Sequence, residues 1–349
     1  MSPSDDGIPL YPAPGRSQRL VISTGSVHLT PAEAYIINSP AHEVFCCPRE
    51  KGLSTTSTAN APTLTSTDTI DHVRSLPFIG VHVACLAVVW TGVSTAALVI
   101  GFLTLAVRMF GLTAGYHRYF CHKAFRTTRV FQFVLAWLGT AAAQKGPLWW
   151  AGHHRSHHRH SDTAEDVHPP GVKGFFWAHA GWVMSPKNQR TKVEWVPDLV
   201  KYPELVWLDR NHYIAPVTLG VALFFLGEWL GTAYPALGTT GWQLVVVALF
   251  CSTSLLYHVT FGVNSIGHMF GSRRYATDDE SRNSLWLALV TGGEGWHNNH
   301  HRYPASERQG FYWWEIDFTH YAVVVLSWLR IVWDVRGPTS AVLQEGTPR

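Results

Sequence analysis

The apolar residues of this chain fall in long uncharged blocks rather than in short alternating stretches. From Ser75 to Val107 there is no Asp, Glu, Lys or Arg, and a turn-like TGVST (91–95) sits in the middle. One bilayer crossing takes about 20 residues and two take about 40. The block therefore predicts two antiparallel spans, at about 76–92 and 95–117, the second continuing past Arg108. A charge inside a span faces the bundle interior or snorkels to the interface, and both readings stay open for Arg108. A third apolar block predicts a span at 213–231, with Glu228 near its far end. From Trp229 to Ser272 charges are again absent, which places a fourth span at 242–262. The predicted class is an all-α integral membrane protein of four transmembrane helices, topped by a helical cap.

The flanks read differently. Residues 1–74 are rich in Ser, Thr and Pro. The run LSTTSTANAPTLTSTDT (53–69) has too little apolar surface to offset ordering entropy, so a flexible tail is expected at 1–74. The membrane domain then covers 75–335, and a short C-terminal tail 336–349. The opening MSPSDDGIPLYPAPGRSQRL has no apolar core and is not a cleavable signal peptide.

Composition agrees with the spans: charged residues are 15% of the chain, against about 25% in a soluble domain. A formal charge of +3, with no basic helix, argues against nucleic acid as a partner. The basic residues set the orientation. Twelve lie between Lys123 and Arg210, eight after the fourth span and five in residues 1–74, while the loops near 92–96 and 232–241 hold none. By the positive-inside rule both termini and the polar 118–211 stretch face the cytoplasm. The five cysteines form no C-x-x-C pair, which excludes a disulfide framework and a zinc ribbon. Cys46 and Cys47 read as two thiols in a loose tail.

The chain has twenty histidines, and three groups of them fall on the predicted cytosolic side. His154, His157 and His158 repeat the spacing of His297, His300 and His301. Positions i, i+3 and i+4 share one helical face, so each triplet can present three imidazoles to one cavity. His117 and His122 are five apart, about 140° around a regular helix. That pair suits two different ions, or the two sides of a span's end. Eight histidines exceed the four ligands of an ordinary zinc site and imply two ions. Imidazole suits Zn, Fe, Cu and Ni alike. Neither triplet has the adjacent Glu of a zinc hydrolase. The residues alone point to a dinuclear, redox-capable metal site at the cytosolic membrane face.

Four motifs stand in order: GLTAGYHRYFCH (111–122), WWAGHHRSHHRHSDT (149–163), VNSIGH (263–268) and GEGWHNNHH (293–301). Together with four spans they resemble the membrane fatty acid desaturases, in particular the Δ9, stearoyl-CoA desaturase-like branch in its bacterial form. The segment after His301 is similar to bacterial and plant members. There Trp313 and Trp314 are read as interfacial anchors or core packing. The resemblance implies a di-iron site held by His117, His122, His154, His157, His158, His268, His297, His300 and His301, with Asn264 reaching one iron through water. Spacing alone gives no reason to single out His268. His153, His160 and His168 match no ligand. Ligating imidazoles need acceptors for their other N–H, and Asp162, Glu165 and Asp166 are near in sequence.

The reaction implied is O2-dependent insertion of a cis double bond into a saturated acyl chain. It uses two Fe2+ ions and a separate electron donor, cytochrome b5-like or ferredoxin-like, with its reductase. Gln144, Trp150 and Thr260 match residues that line a bend in the acyl tunnel, which implies a Δ9 position. The carrier expected first is acyl-CoA. However, an Arg-Asp pair of the animal enzymes is replaced by Gly152 and His153, and of a second basic pair, at Pro186 and Lys187, only the Lys remains. Lipid-linked and carrier-protein-linked chains are the alternatives. The rivals are a di-iron lipid or alkane hydroxylase and a membrane metal carrier. A carrier would place histidines within the spans, where only His82, His258 and His212 lie in or beside them.

Overall fold

The structure, a computed structural model, describes residues 68–347; Cys46, Cys47 and most of the predicted tail lie outside them. Helix α1, Leu76–Cys85, starts on Pro77 and gives way after Cys85 to a separate helical turn, Val88–Thr91. Gly92 then reverses the chain at φ +68°, a left-handed conformation that glycine adopts without strain. The hydroxyl of Ser94 accepts from the Ala97 N–H and opens α2, Thr95–Cys121. The next long elements are α3 (Arg129–Thr140), α4 (Pro147–His160), α5 (Pro203–Arg210), α6 (Ile214–Ala233) and α7 (Gly241–His268).

Helices α2, α6 and α7 are long and apolar enough to cross a membrane. They correspond to the second, third and fourth predicted spans. The first predicted span is present as an apolar helical stretch, Leu76–Thr91, that is shorter and interrupted. Helices α2 and α7 run further than predicted, so that His117 and His268 ride in their last turns.

Arg108 resolves to the interior. It is 1% exposed and donates to the hydroxyls of Ser252 and Thr253 on α7 and to the Thr104 carbonyl. A buried guanidinium needs such partners, and here hydroxyls and a carbonyl supply them.

The end of α2 departs from a regular helix. Gly111–Cys121 is wound as a wide π-type helix, and the His122 N–H reaches the His117 carbonyl at 3.3 Å, five residues back. Such wide turns are rare and often mark functional sites. Close packing against α3 accompanies it. A Cβ on Gly139 would lie 2.4 Å from the Tyr116 ring, and one on Gly111 2.5 Å from the Gly139 nitrogen.

Helix α4 is capped from a distance, since Asp209 on α5 accepts from the Leu148 and Trp149 N–H groups at 3.0 and 2.8 Å. Buried Arg155 on α4 ties it to α2 through the Phe120 and Cys121 carbonyls and also pairs with Asp198.

The chain ends in short helices: α8 (Leu285–Thr291), α9 (His297–Arg302), α10 (Phe318–Trp328) and α11 (Ser340–Glu345). In α9 the asparagines of HNNHH serve the fold. Asn298 Oδ1 accepts from the Arg274 and Tyr275 N–H groups, and Asn299 Nδ2 donates to the Gln309 carbonyl and to Glu315. A two-residue antiparallel ladder, β1 (Arg126–Thr127) with β2 (Val332–Trp333), fastens the region after α10 to the start of α3. Tyr275 and Tyr312 hold α11 through the Val342 and Leu343 carbonyls.

Candidate metal centre

The ends of α2 and α7 meet α4 and α9 at one place, and nine imidazoles converge there in two groups. His117, His122, His154, His158 and His300 form one; His157, His268, His297 and His301 form the other. Neither triplet stays together. A helix turns about 100° per residue, so adjacent His157 and His158 diverge while His154 and His158 align. The aligned pair joins the first group and His157 the second. In α9 the roles reverse: His297 and His301 join the second group and His300 the first. Each triplet therefore bridges the two groups, where the spacing suggested one shared cavity.

His117 and His122 correct the sequence reading too. On a regular helix they would diverge, but the π-type winding brings residues five apart over one another. Their rings lie 4.9 Å apart, in the same group.

Within the first group, consecutive Nε2 atoms from His117 through His300, His158 and His154 to His122 are 2.9 to 3.0 Å apart. In the second, His268 Nε2 and His297 Nε2 are 3.0 Å apart. Two nitrogens about 2.1 Å from an ion and 90° apart are separated by about 3.0 Å; tetrahedral angles would give about 3.4 Å. The spacing thus fits an ion with five or six positions better than a tetrahedral one. His301 Nε2 is buried without a hydrogen-bond partner, as a nitrogen kept for a metal would be. The donor set therefore fits metal ions.

Carboxylates fix the ring orientation. The Nδ1–H of His117 faces Glu294, that of His157 faces Asp166 at 3.0 Å, that of His268 faces Asp162 at 2.7 Å, and that of His301 faces Asp279 at 2.5 Å. Each bond leaves Nε2 with its lone pair turned inward, and such partners raise ligand basicity. Two of the three acceptors expected from sequence, Asp162 and Asp166, take this role. Glu165 is an exposed partner of His160 instead. Asp279 and Glu294 were not foreseen. Glu294 stands three residues before His297, yet it serves His117 on another helix, and only the fold reveals that.

Electrostatics agree. Burial, reinforced by neighbouring imidazoles, holds His122, His154, His158, His297 and His300 well below the usual histidine range. Burial, partly offset by Asp279, brings His301 down to about 4. These rings stay neutral and free to ligate. For His157 burial is outweighed by Asp166, and its pKa is raised. Glu294 is brought down to about 2: burial opposes this, but His117 and Arg118 prevail. Arg118 is itself buried and also pairs with Glu307 and Asp317, which clamps the 307–317 loop beneath the first group.

A cavity of ≈ 590 Å³ approaches the cluster between α1, α6 and α7. Gln144, Trp150, Thr260 and Asn264 line both this cavity and a smaller hollow that reaches His117, His157 and His297. Gln144 donates to Thr260 at 2.7 Å, and Trp150 stacks on His154 at 5.0 Å. The three expected bend residues thus come together beside the imidazole cluster.

Lys187 does not join them. Its ammonium is bound to buried Asp68, which Lys173 also contacts, and it lies over the Trp177 ring. His153 and His168 are buried near the cluster but belong to neither the group of five nor the group of four, although the His168 ring lies tilted against that of His157 at 4.3 Å. His82 bonds to His258, and His258 to His179, in a separate chain; His212 bonds to the Asp209 carbonyl. Trp313 and Trp314 are exposed, which favours the interfacial reading over core packing.

Comparison with known proteins agrees with this geometry. The sequence model of the fatty acid desaturase family matches residues 94–325. The chain is 35% identical over 259 residues to an sn-2 palmitoyl-lipid 9-desaturase of Nostoc sp. (strain 36), covering 73% of this chain and 86% of the relative. It is 36% identical over 270 residues to an sn-1 stearoyl-lipid 9-desaturase of Anabaena variabilis, covering 76% and 94%. An acyl-CoA C20 Delta5-desaturase of Anemone leveillei is 33% identical over 263 residues, covering 74% and 80%. The chain therefore belongs to the fatty acid desaturase family, oxidoreductases that act on fatty acyl chains.

Proposed function

We propose that this enzyme inserts a cis double bond between C9 and C10 of a saturated acyl chain carried on a membrane glycerolipid, at a centre of two iron ions. The observation that carries the reading is the pair of imidazole groups at the end of an apolar cavity. The five imidazoles of the first group would hold one ion; the four of the second, with Asn264 through water, would hold the other. Bound iron supplies the activation of O2. The chain's own residues position the acyl chain: Trp150 covers His154, and the Gln144–Thr260 pair bends the path beside it. Holding one C–C bond against the centre is the protein's contribution to rate.

In balance, the chain gives up two hydrogens, and O2 takes these with two protons and two further electrons to become two waters. The electrons come from a separate cytochrome b5-like or ferredoxin-like donor with its reductase. The charge pattern supports four crossings, with the cluster and both termini on the cytoplasmic side.

Two observations turn the carrier from CoA, the first expectation, to lipid. Both cyanobacterial relatives are named as lipid 9-desaturases. The remaining lysine of the CoA grip, Lys187, is engaged by Asp68, whereas CoA phosphates call for cations able to pair with them. The test is expression in a desaturase-deficient host followed by mass spectrometry of the lipids. A cis C9–C10 alkene is expected; a hydroxylated chain, or a bond elsewhere, contradicts the reading.

A further inference from the structure

The cavity that reaches the metal ligands is not closed on its outer side. Helices α1 and α6 both pack on α7, and the cavity lies between them with α7 as its floor. Its α1 wall includes Phe78 and Val81, and its α6 wall Val217 and Val221. On the α6 side the lining is also molecular surface. Val217 is 61% exposed, Val221 52% and Phe225 66%; Trp242, at the start of α7, is 64% exposed. All of these lie on candidate spans, so the slit they border faces lipid and not water. Gly220, on the α6 wall, lets that helix approach the floor closely, since a Cβ there would come within 3.1 Å of the Leu249 side chain. Polar groups gather at one end only. Arg74 pairs with Asp71, and Lys145 donates to Gln189, so both cations already have partners.

We infer that the slit between α1 and α6 is a lateral portal, through which the acyl chain of a membrane glycerolipid moves sideways from the bilayer into the catalytic cavity. This rests on the desaturase reading and names how its substrate arrives. An end-on tunnel would have to thread the chain from water. A slit along the spans lets the methyl end swing in from the bilayer while the ester stays at the interface, near Arg74 and Lys145. No apolar surface need cross water, where each exposed CH2 would carry an unfavourable hydration cost. The polar end need supply no strong anion site, and its cations are already matched.

The test uses the full chain, iron-loaded, in phosphatidylcholine nanodiscs, in air-saturated buffer with NAD(P)H and, in separate runs, a cytochrome b5 or a ferredoxin with its reductase as electron donor. The substrate is 1-stearoyl-2-oleoyl-phosphatidylglycerol, with stearoyl-CoA as the parallel arm, and a phosphatidylglycerol with a mid-chain diazirine is the photolabel. Val221→Trp and Gly220→Trp plug the slit. Ala222→Trp adds the same bulk to an exposed position of α6 that does not line the cavity. Retained iron shows that each variant has folded.

The expected result is a tenfold or greater loss of lipid desaturation in both plugged variants, and loss of photolabel from the Tyr257–Asn264 segment. Ala222→Trp should stay within twofold of wild type. Full lipid turnover by Val221→Trp overturns the portal, as does photolabel that persists when the slit is plugged. Turnover of stearoyl-CoA alone overturns it too. Absence of alkene from every acyl carrier refutes the desaturase reading, and the photolabel still decides the portal.

Discussion

The two imidazole groups are built in different ways. The five-membered group is made by backbone geometry: two ligands from the π-type end of α2, an aligned pair from α4 and one from α9. One of its rings, His117, is oriented by a carboxylate, Glu294. The four-membered group draws on α4, α7 and α9, and three of its rings are oriented by loop carboxylates, Asp166, Asp162 and Asp279. Where ligands are fewer, more of them are backed by acid, which raises their basicity. The groups are thus unequal, and they are joined because each triplet contributes to both.

The largest expected effect comes from removing a ligand. His158→Ala and His301→Ala should each lower turnover by at least roughly a hundredfold, beyond the range for outer partners. Iron analysis should find about one ion lost in each case. Equal activity to wild type in either variant would break the assignment.

Next come the supporting carboxylates. Glu294→Gln and Asp166→Asn should each weaken metal binding by about 10–100-fold, measured by competition with a chelator. They should differ in stability. Glu294→Gln also unbalances the buried Arg118 network, and breaking a buried pair costs about 3–5 kcal/mol. Its thermal midpoint should fall well below that of Asp166→Asn; equal midpoints would show that the two groups are supported alike.

A smaller effect is expected at the bend. Thr260→Ala removes the hydroxyl that holds Gln144. It should shift a minor share of product, on the scale of one lost hydrogen bond of about 1 kcal/mol, to neighbouring bond positions seen by mass spectrometry. The smallest belongs to Lys187. Because Lys187 is tied to Asp68 and lines neither the imidazole groups nor the cavity, Lys187→Ala should leave the KM for acyl lipid within about twofold, as expected for a partly exposed ion pair. A large rise would restore a CoA-type grip.

Much of this could be read along the chain because its signals are local. Uncharged blocks located α2, α6 and α7, and the H-x2-H-H spacing located both triplets. The break after Cys85 was hidden, since the apolar run continues through it. The histidine pairings escape the spacing because an ideal helix is not what the chain adopts and does not show how the cavity is divided. His117 and His122 diverge on that helix and meet only because α2 widens. The triplets looked like single faces because spacing within one helix cannot reveal that the cavity on the other side is divided. Asp279 and Glu294 serve histidines on other segments, and Arg118 gathers carboxylates from 294 to 317. Those pairings exist only once the chain is folded. His268 was reached through resemblance, because one histidine at the end of a span carries no spacing at all.

The pairing of unequal groups is tested most directly by iron analysis of the purified full chain combined with Mössbauer spectroscopy. Two irons per chain are expected, in two distinguishable environments of equal intensity, one dominated by five imidazoles and the other by four. A single iron per chain, or two irons in one indistinguishable environment, would contradict it.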